Sequence, residues 1–392
     1  MNEELPQVVQ AEVAPGLAPP PLRFDRAEWA AAFADLGTFI PYVVAYVSVL
    51  GMDPVGILLA FGAALVCCGF VYRTPLPVQP MKAVGAVAVA QAAAISSGAV
   101  VAASLVTGIL WLLLGLSGAA SRLARAIPRG AVLGVMLGLG ISFMLQGLRM
   151  MAGDWMAALA ALILAVVLRN SRLFPAMLVL LVGLAYGVLR QPALWEGASF
   201  GFHLRLPALA IADLHWQDFV TGTLLLALPQ LPLTLGNAII GVTEENNRLF
   251  PDRATSVRKV SVSTGVMNLA GGAIGGVPMC HGAGGMAAYA AFGARSGGAP
   301  IIFGATLVVL ALCFSGAIAF LLQAVPAAVL GAILFLTGVR LAIGNAPRTR
   351  DWRVLLPVAL TAAAALWNVG LGLLVGIAAC CICRQKHNKG QV

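Results

Sequence analysis

Two short stretches of the chain combine helix-breaking residues with polar side chains. The first, 75–82, carries prolines at three of its eight positions, and the second, 275–285, is rich in glycine. Neither stretch suits a continuous helix, because proline removes a backbone donor and glycine favours other conformations. We predict two extended segments, each leading into a short helix that begins near Pro80 or Pro278. The first turn of such a helix exposes unpaired N–H groups with partial positive charge, which bind anions.

Four polar side chains lie within otherwise apolar segments, where such groups are costly and often functional. Lys82 is the only lysine within a predicted span, and we predict that it supplies charge to an anionic ligand. The alternative is a lysine that reaches the membrane interface or pairs with Asp35. His281 occupies nearly the symmetric place in the second stretch, with a local structural hydrogen bond as its alternative. Asp35 is predicted to relay a proton or hold Lys82, and Gln230, which lies between two prolines, to line a cavity.

The predicted site binds rather than catalyses, and it contains no metal or cofactor. The sequence lacks both the Gly-x-Ser-x-Gly nucleophile pattern and a phosphate-binding loop, which argues against a hydrolase and against direct ATP drive. A cysteine cluster at 380–383 is predicted to pack as small apolar side chains, since no second Cys/His pair lies nearby. The residues predicted to bind the substrate are Gln79, Met81, Lys82, Gln230, Cys280, His281, Gly282 and Ala283, with Asp35 as the coupling residue.

The elements that carry these residues are predicted to be membrane helices. Of the 392 residues, 60% are hydrophobic and only 10% are charged, and the mean hydropathy is +0.94. Soluble domains keep about 25% charged residues, whereas a helix that crosses a bilayer needs about 20 apolar residues. Hydropathy places the spans at 29–50, 54–72, 76–97, 99–117, 128–148, 154–169, 173–190, 217–240, 259–277, 279–292, 299–317, 319–339, 354–368 and 369–383.

The basic residues fall mainly on one side of these spans. Of the 24 Lys and Arg residues, all but Lys82, Arg149, Arg190 and Arg205 lie in the N-terminal segment or in loops on one face. Cytoplasmic loops of membrane proteins carry such an excess of positive charge. The pattern predicts a multi-pass protein of the cell (inner) membrane with both termini in the cytoplasm. It also explains the formal net charge of +9 without a nucleic-acid partner.

An internal repeat divides the chain into halves. Ile127-Pro128 and the Ala-Val-Leu-Gly string at 131–134 are echoed by Val325-Pro326 and the same string at 328–331. Chance matching in a chain rich in alanine and glycine is the alternative. About seven spans per half predict halves of opposite orientation, an inverted-repeat design. The predicted organisation is a disordered tail at 1–22, a first repeat at 23–190, an extracytoplasmic linker at 191–216, a second repeat at 217–383 and a cytoplasmic tail at 384–392.

Five strings in the chain resemble one known family. They are ADLGT at 34–38, PVQPMK at 77–82, QLPLT at 230–234, PMCHGAGG at 278–285 and FGARSG at 292–297. These strings resemble the molybdate-transporter family, a branch related to the sulfate permeases, and the likeness extends from about Trp29 over nearly the whole chain. The chain departs from the wider sulfate-permease pattern at Gln230, where many of that group place a carboxylate.

The resemblance implies an all-α polytopic membrane fold of seven-plus-seven inverted spans, with a core domain and a gate domain. In it, half-helices of the third and tenth spans meet at mid-membrane and bind the substrate between them. We therefore predict a secondary active transporter, not an enzyme, that imports molybdate by alternating access with proton coupling. A sulfate transporter and a passive anion channel of the same fold are the alternatives. The predicted partners are molybdate or sulfate and the lipid bilayer, with a second copy of the chain (a homodimer) as a further candidate.

Overall fold

The protein is a bundle of helices with two very short strands at its centre. The computed structural model describes residues 21–90, 95–168, 175–191, 201–202, 204–347, 349, 351–367 and 369–389. Most of the predicted N-terminal tail, part of the predicted linker and the last three residues lie outside these ranges.

In the residues that the structure describes, the first half contains nine helices and one strand. Its first predicted span, 29–50, is divided by a turn that contains Asp35. Its third predicted span, 76–97, begins as an extended segment, and its helix starts only at Lys82. The elements are α1 (Arg26–Ala31), α2 (Leu36–Leu50), α3 (Pro54–Tyr72), β1 (Gln79–Pro80), α4 (Lys82–Ala90), α5 (Ser97–Leu116), α6 (Ala119–Ala126), α7 (Arg129–Met151), α8 (Trp155–Leu168) and α9 (Pro175–Arg190).

The second half follows the same order with one long initial helix. That helix, α10 (Trp216–Leu249), contains two π-helical segments, Gly222–Ala227 and Thr234–Gly241. They flank the Pro229–Pro232 region, where proline removes backbone donors and the regular bonding pattern shifts. The remaining elements are α11 (Val257–Ala273), β2 (Met279–Cys280), α12 (Ala283–Ala291), α13 (Gly298–Cys313), α14 (Ile318–Ala324), α15 (Ala327–Asn345), α16 (Trp352–Trp367) and α17 (Val369–Lys389).

Four of the described helices have the length and apolarity of membrane spans. Within the described ranges, α3, α5, α7 and α10 are each long and apolar enough to cross a bilayer. Shorter apolar helices, including α8, α13 and α16, accompany them. The two halves also pack into each other, since α3 lies against α13 and α5 lies against α11.

The repeat is visible in the backbone conformation. Ile127 has φ −88° and ψ 121°, and Val325 has φ −87° and ψ 117°. The prolines that follow them match equally well, with ψ 140° at Pro128 and 139° at Pro326. In each half a short helix therefore ends at this pair and a long helix begins after it. The predicted span 319–339 was wrong for this reason, because it ran through the break at Pro326.

The long helices after these breaks, α7 and α15, run in opposite directions. An added Cβ at Gly140 would come within 2.9 Å of the Gly338 carbonyl oxygen, and one at Gly147 within 2.6 Å of the Gly331 oxygen. Residues later in α7 therefore contact residues earlier in α15. Because α7 and α15 are equivalent elements of the two halves, their antiparallel contact makes the repeat an inverted one, as predicted. Small residues at the crossing let the two backbones approach closely.

The two extended segments meet in the interior of the bundle. Strands β1 and β2 pair in antiparallel fashion, with Gln79 opposite Cys280 and Pro80 opposite Met279. All four residues are buried. The Met81 N–H donates to the Pro278 carbonyl at 2.9 Å and extends the pairing. A nine-residue helix follows each strand, so α4 and α12 are the two predicted half-helices.

Candidate functional site

The first turn of α4 is capped by a side chain from α10. The Ala83 N–H donates to the Oε1 atom of Gln230 at 3.0 Å, and the Gln230 Nε2 group donates to the Thr234 hydroxyl at 3.1 Å. Gln230 is 1% exposed. The structure thus brings Gln230 to the end of α4 that was predicted to bind an anion, and the amide oxygen occupies one of its N–H groups.

The Lys82 amine is buried in the same region. Its Nζ atom has no hydrogen-bond partner among the described residues and lies 3.9 Å from the centroid of the Phe143 ring. Phe143 belongs to α7, which packs mainly against α15 and α16 rather than α4. The same ring lies against Gly284 in α12, where an added Cβ would approach it to 2.2 Å. The ring therefore covers both the amine and the first turn of α12.

Asp35 is buried nearby, and its hydrogen-bond partners are uncharged side chains. The turn before α2 places its carboxylate, which accepts from the Thr38 hydroxyl and, at 2.6 Å, from Gln79 Nε2. Gln79 Nε2 also lies 2.9 Å from the Thr38 hydroxyl. Asp35 and Lys82 form no ion pair in the described structure, so the structural pairing considered for Lys82 is not what the structure shows.

Two glycines of the second stretch make room for this network. A Cβ on Gly282 would lie 2.0 Å from Gln79 Oε1. A Cβ on Gly285 would lie 2.5 Å from Gln79 Nε2 and 2.8 Å from Asp35 Oδ2. A side chain at either position would force Gln79 to move, so glycine lets the start of α12 lie directly against Gln79 and Asp35.

His281 links the two extended segments to α11. Its Nδ1 atom lies 2.9 Å from the Pro77 carbonyl oxygen, and its Nε2 atom lies 2.8 Å from the Ser263 hydroxyl. A carbonyl oxygen only accepts, so Nδ1 is assigned the proton. The Ser263 oxygen also lies 2.7 Å from the Tyr72 hydroxyl. Both ring nitrogens are therefore engaged by the protein, which is the local role considered as the alternative, and a substrate role for His281 stays a prediction.

The other predicted site residues belong to the strand pair or to the start of α12. Cys280 lies in β2, Met81 follows β1 and is fully buried, and Ala283 is the first residue of α12. The Asn268 carboxamide forms two hydrogen bonds with the backbone of Met279 in β2. Its Nδ2 donates to the Met279 carbonyl at 2.5 Å, and its Oδ1 accepts from the Met279 N–H at 2.9 Å. These contacts hold the strand pair in place.

Sequence reasoning missed several side chains that complete this region. Thr38 and Asn268 are buried and Ser263 is half-buried; all three are polar residues in membrane-type helices, a signal that the sequence carries. Phe143 carries no such signal, because a phenylalanine in an apolar helix is ordinary. Only the three-dimensional packing of α7 shows that its ring covers the Lys82 amine.

Comparison with known proteins agrees with this geometry. A family model described as a molybdate transporter of the MFS superfamily matches residues 27–143 and 222–341, more than half of the chain. This chain belongs to the molybdate transporter family. The two matched ranges contain both half-helices and lie one in each half. As a member of this family with apolar helices of spanning length, it is a multi-pass membrane protein.

Curated members of the molybdate transporter family are similar to this chain along most of its length. Molybdate transporter 2 of Arabidopsis thaliana is 31% identical over 89% of this chain and 86% of the relative. Molybdate transporter 1 of the same plant is 30% identical over 90% of this chain and 87% of the relative. Molybdate transporter 1 of Chlamydomonas reinhardtii is 42% identical, over 53% of this chain and 40% of its own length.

Solved structures show the fold of this molybdate transporter family member. The overall structure of SLC26A9 is similar, with a TM-score of 0.56 and 12% identity, over 91% of this chain and 64% of that chain. The transmembrane domain of the cyanobacterial bicarbonate transporter BicA has a TM-score of 0.54 and 18% identity, over 91% of this chain and 97% of that chain. The predicted seven-plus-seven inverted-repeat fold is confirmed.

Proposed function

We propose that this chain imports molybdate across a membrane as a secondary active transporter, by alternating access with proton coupling. The names of the relatives support the substrate. The observation that carries the proposal is the buried Lys82 amine, which has no hydrogen-bond partner within the described ranges and lies next to the first turn of a half-helix. A cation in this position costs several kcal/mol unless it is paired or hydrated. A dianion would complete the site.

Binding of the oxyanion requires one exchange of partners at α4. The Ala83 N–H is held by Gln230, and an incoming oxygen would replace the amide oxygen. The Lys82 amine then supplies the full positive charge, and the first turns of α4 and α12 add their partial charges. The proposed ligands are thus Lys82 with the backbone and side chains at 79–83 and 280–283, together with Gln230.

Phe143 gives alternating access a physical basis. The ring lies over the Lys82 amine, yet it is carried by a helix that packs with α15 and α16. A relative shift of α7 against α4 and α12 would uncover the site without disturbing the strand pair. Phe143 is therefore the residue that closes the site in this conformation.

Asp35 is the proposed proton carrier. It is buried, and Gln79 connects it to the start of α12. Protonation of Asp35 would weaken its acceptor role toward Gln79, whose carboxamide lies against Gly282. The charge of Asp35 would in this way be linked to the position of the backbone that binds substrate.

Uptake of labelled molybdate into liposomes that contain the purified protein tests the proposal. We expect uptake to saturate, to increase when an inward proton gradient is imposed, and to resist a moderate excess of sulfate. Flux that rises linearly with concentration and ignores the gradient would identify a passive channel. Uptake that sulfate abolishes at equal concentration would identify a sulfate transporter.

A further inference from the structure

A groove runs between α3 and α11, outside the region described so far. Its volume is about 530 Å³, and its walls are formed largely by small apolar residues such as Ala60, Ala63, Ala64 and Ala270. Ala63 and Ala270 are exposed, so the groove is open along its outer side. In a protein that crosses a bilayer, an apolar opening of this kind faces lipid.

Two cations stand at one end of the groove, at the start of α11. Lys259 donates to the Val71 carbonyl at 3.1 Å, and its ammonium lies 4.6 Å from the centroid of the Tyr72 ring. Arg258 donates to the Leu116 carbonyl at 3.3 Å. Each of these bonds uses one donor, whereas an ammonium has three and a guanidinium has five. Both side chains are held at the rim and keep donors for an anionic group.

The groove has cations at one end and apolar walls along the rest, which matches the charged head group and apolar acyl chain of a phospholipid. From Lys259 to Ala270, α11 rises about 16 Å at 1.5 Å per residue, which is about half of a 30 Å hydrocarbon core. Basic pockets between membrane helices bind anionic lipid head groups. We propose that the groove binds one acyl chain of an anionic phospholipid, whose phosphate lies against Arg258 and Lys259.

The floor of the groove is one layer away from the strand pair. Tyr72 and Ser263 line it, and Ser263 is hydrogen-bonded to His281, which contacts the Pro77 carbonyl. An added Cβ at Gly271 would lie 2.2 Å from the terminal carbon of Met279. A lipid in the groove therefore supports the helices behind β1 and β2, whatever ion the protein carries.

Native mass spectrometry of the purified protein, titrated with phosphatidylglycerol or phosphatidylcholine, tests the proposal. We expect tighter binding of phosphatidylglycerol. The R258Q/K259Q variant should bind it about fivefold more weakly for each cation removed. The matched control is R122Q/R125Q, which removes two exposed cations from α6, the helix that follows Leu116. Equal affinity of the two lipids for the wild-type protein, or an equal loss in the control, would overturn the proposal.

A second pair of variants tests the apolar part of the groove and leaves the cations in place. Ala63→Trp should fill the groove and lower phosphatidylglycerol binding. Ala160→Trp adds the same side chain to an exposed position of α8 and should not lower it. Unchanged binding by Ala63→Trp would show that the acyl chain does not occupy the groove and would overturn the proposal.

Discussion

At the level of single residues, Lys82 and Asp35 show how the site separates its charges. The Asp35 carboxylate is satisfied by Thr38 and Gln79, whereas the Lys82 amine rests on an aromatic ring without a hydrogen bond. Contact with a ring face offsets only part of the cost of burying a cation. Asp35 and Lys82 form no ion pair in the described part of the chain, which leaves the amine free for the anion that we propose.

Replacing Lys82 tests this arrangement. Lys82→Met keeps most of the side-chain volume and removes the charge, so molybdate should bind roughly 10- to 100-fold more weakly, the equivalent of one charged hydrogen bond. The measurement is the concentration dependence of uptake into proteoliposomes, with the amount of folded protein determined in parallel. Arg122→Met is the control, since it removes a cation from an exposed position of α6. Normal uptake by Lys82→Met would make Lys82 a structural residue.

At the level of elements, the start of α12 depends on the absence of side chains. Gly282 and Gly285 lie against Gln79, and Gly284 lies against Phe143. A helix that begins in the interior must fit between a strand and a neighbouring helix, which only glycine permits at these distances. The glycine-rich string at 278–285 is therefore required for packing, in addition to being one of the strings that resemble the family.

Gly282→Ala should disturb this junction. The new Cβ would lie 2.0 Å from Gln79 Oε1, so Gln79 must move away from Asp35 or the start of α12 must shift. Overpacking of this kind costs about 1–3 kcal/mol. We expect a lower melting temperature and weaker uptake. Gly153→Ala is the control, because nothing lies within 4 Å of its added Cβ. Equal melting temperatures of both variants would contradict the described contact.

The helices themselves were predictable where local signals mark their ends. The predicted span 54–72 matches α3, because Asp53 caps its first turn, Pro54 begins it and Arg73 adopts a left-handed conformation after it. The span 319–339 failed because hydropathy does not distinguish two consecutive apolar helices from one. The repeat contained the missing information, since Pro128 already marked the start of the equivalent helix.

The site was predictable only in part. Proline, glycine and isolated charges in apolar segments identified 75–82 and 275–285, Asp35 and Gln230 as parts of one region, and the structure brings these together. The partners of each group were not readable, because periodicity gives the face of a helix but not its neighbour. Phe143 contacts Lys82, and Asn268 is hydrogen-bonded to Met279, across separations of 61 and 11 residues that only the folded structure brings together.

At the level of the whole molecule, the orientation of the two halves distinguishes this fold from that of the major facilitators. In the latter, the two six-helix halves are related as parallel repeats. Here the equivalent helices α7 and α15 are antiparallel, and the structural neighbours are SLC26A9 and the BicA domain. The description of the family model names the MFS superfamily, but this chain does not have the parallel-repeat fold of the major facilitators.

The variant Phe143→Ala tests the proposed shift of α7 against α4 and α12. Phe143→Ala removes the ring that covers Lys82, so molybdate flux without a proton gradient should rise several-fold while gradient-driven uptake falls. Phe335→Ala shortens a side chain of α15 whose Cβ lies beside Gly147 of α7, and it controls for loss of packing. The measurement is efflux from preloaded liposomes. If both variants leak equally, general loosening rather than the cover over Lys82 is responsible.

The membrane orientation can be tested with two introduced cysteines. Asp213 lies in an exposed turn before α10, and Asp252 lies in an exposed turn after it; each is replaced by cysteine in a separate variant. Positive charge near the second turn predicts that it is cytoplasmic. In intact cells an impermeant maleimide should label Asp213→Cys, and label Asp252→Cys only after permeabilisation, with the wild-type chain as background. The reverse pattern would invert the predicted topology and place both termini outside.

If the oxyanion binds at the first turn of α4, as we propose, the contact between Gln230 and the Ala83 N–H makes the protein its own competitive inhibitor. The tethered amide and the incoming oxyanion share one donor, so the apparent dissociation constant equals the intrinsic constant divided by the fraction of time the donor is free. An amide that occupies the donor about nine-tenths of the time would weaken apparent affinity about tenfold. The same amide returns as the ion departs and makes dissociation easier. Gln230 thus sets the balance between capture of a scarce ion and turnover.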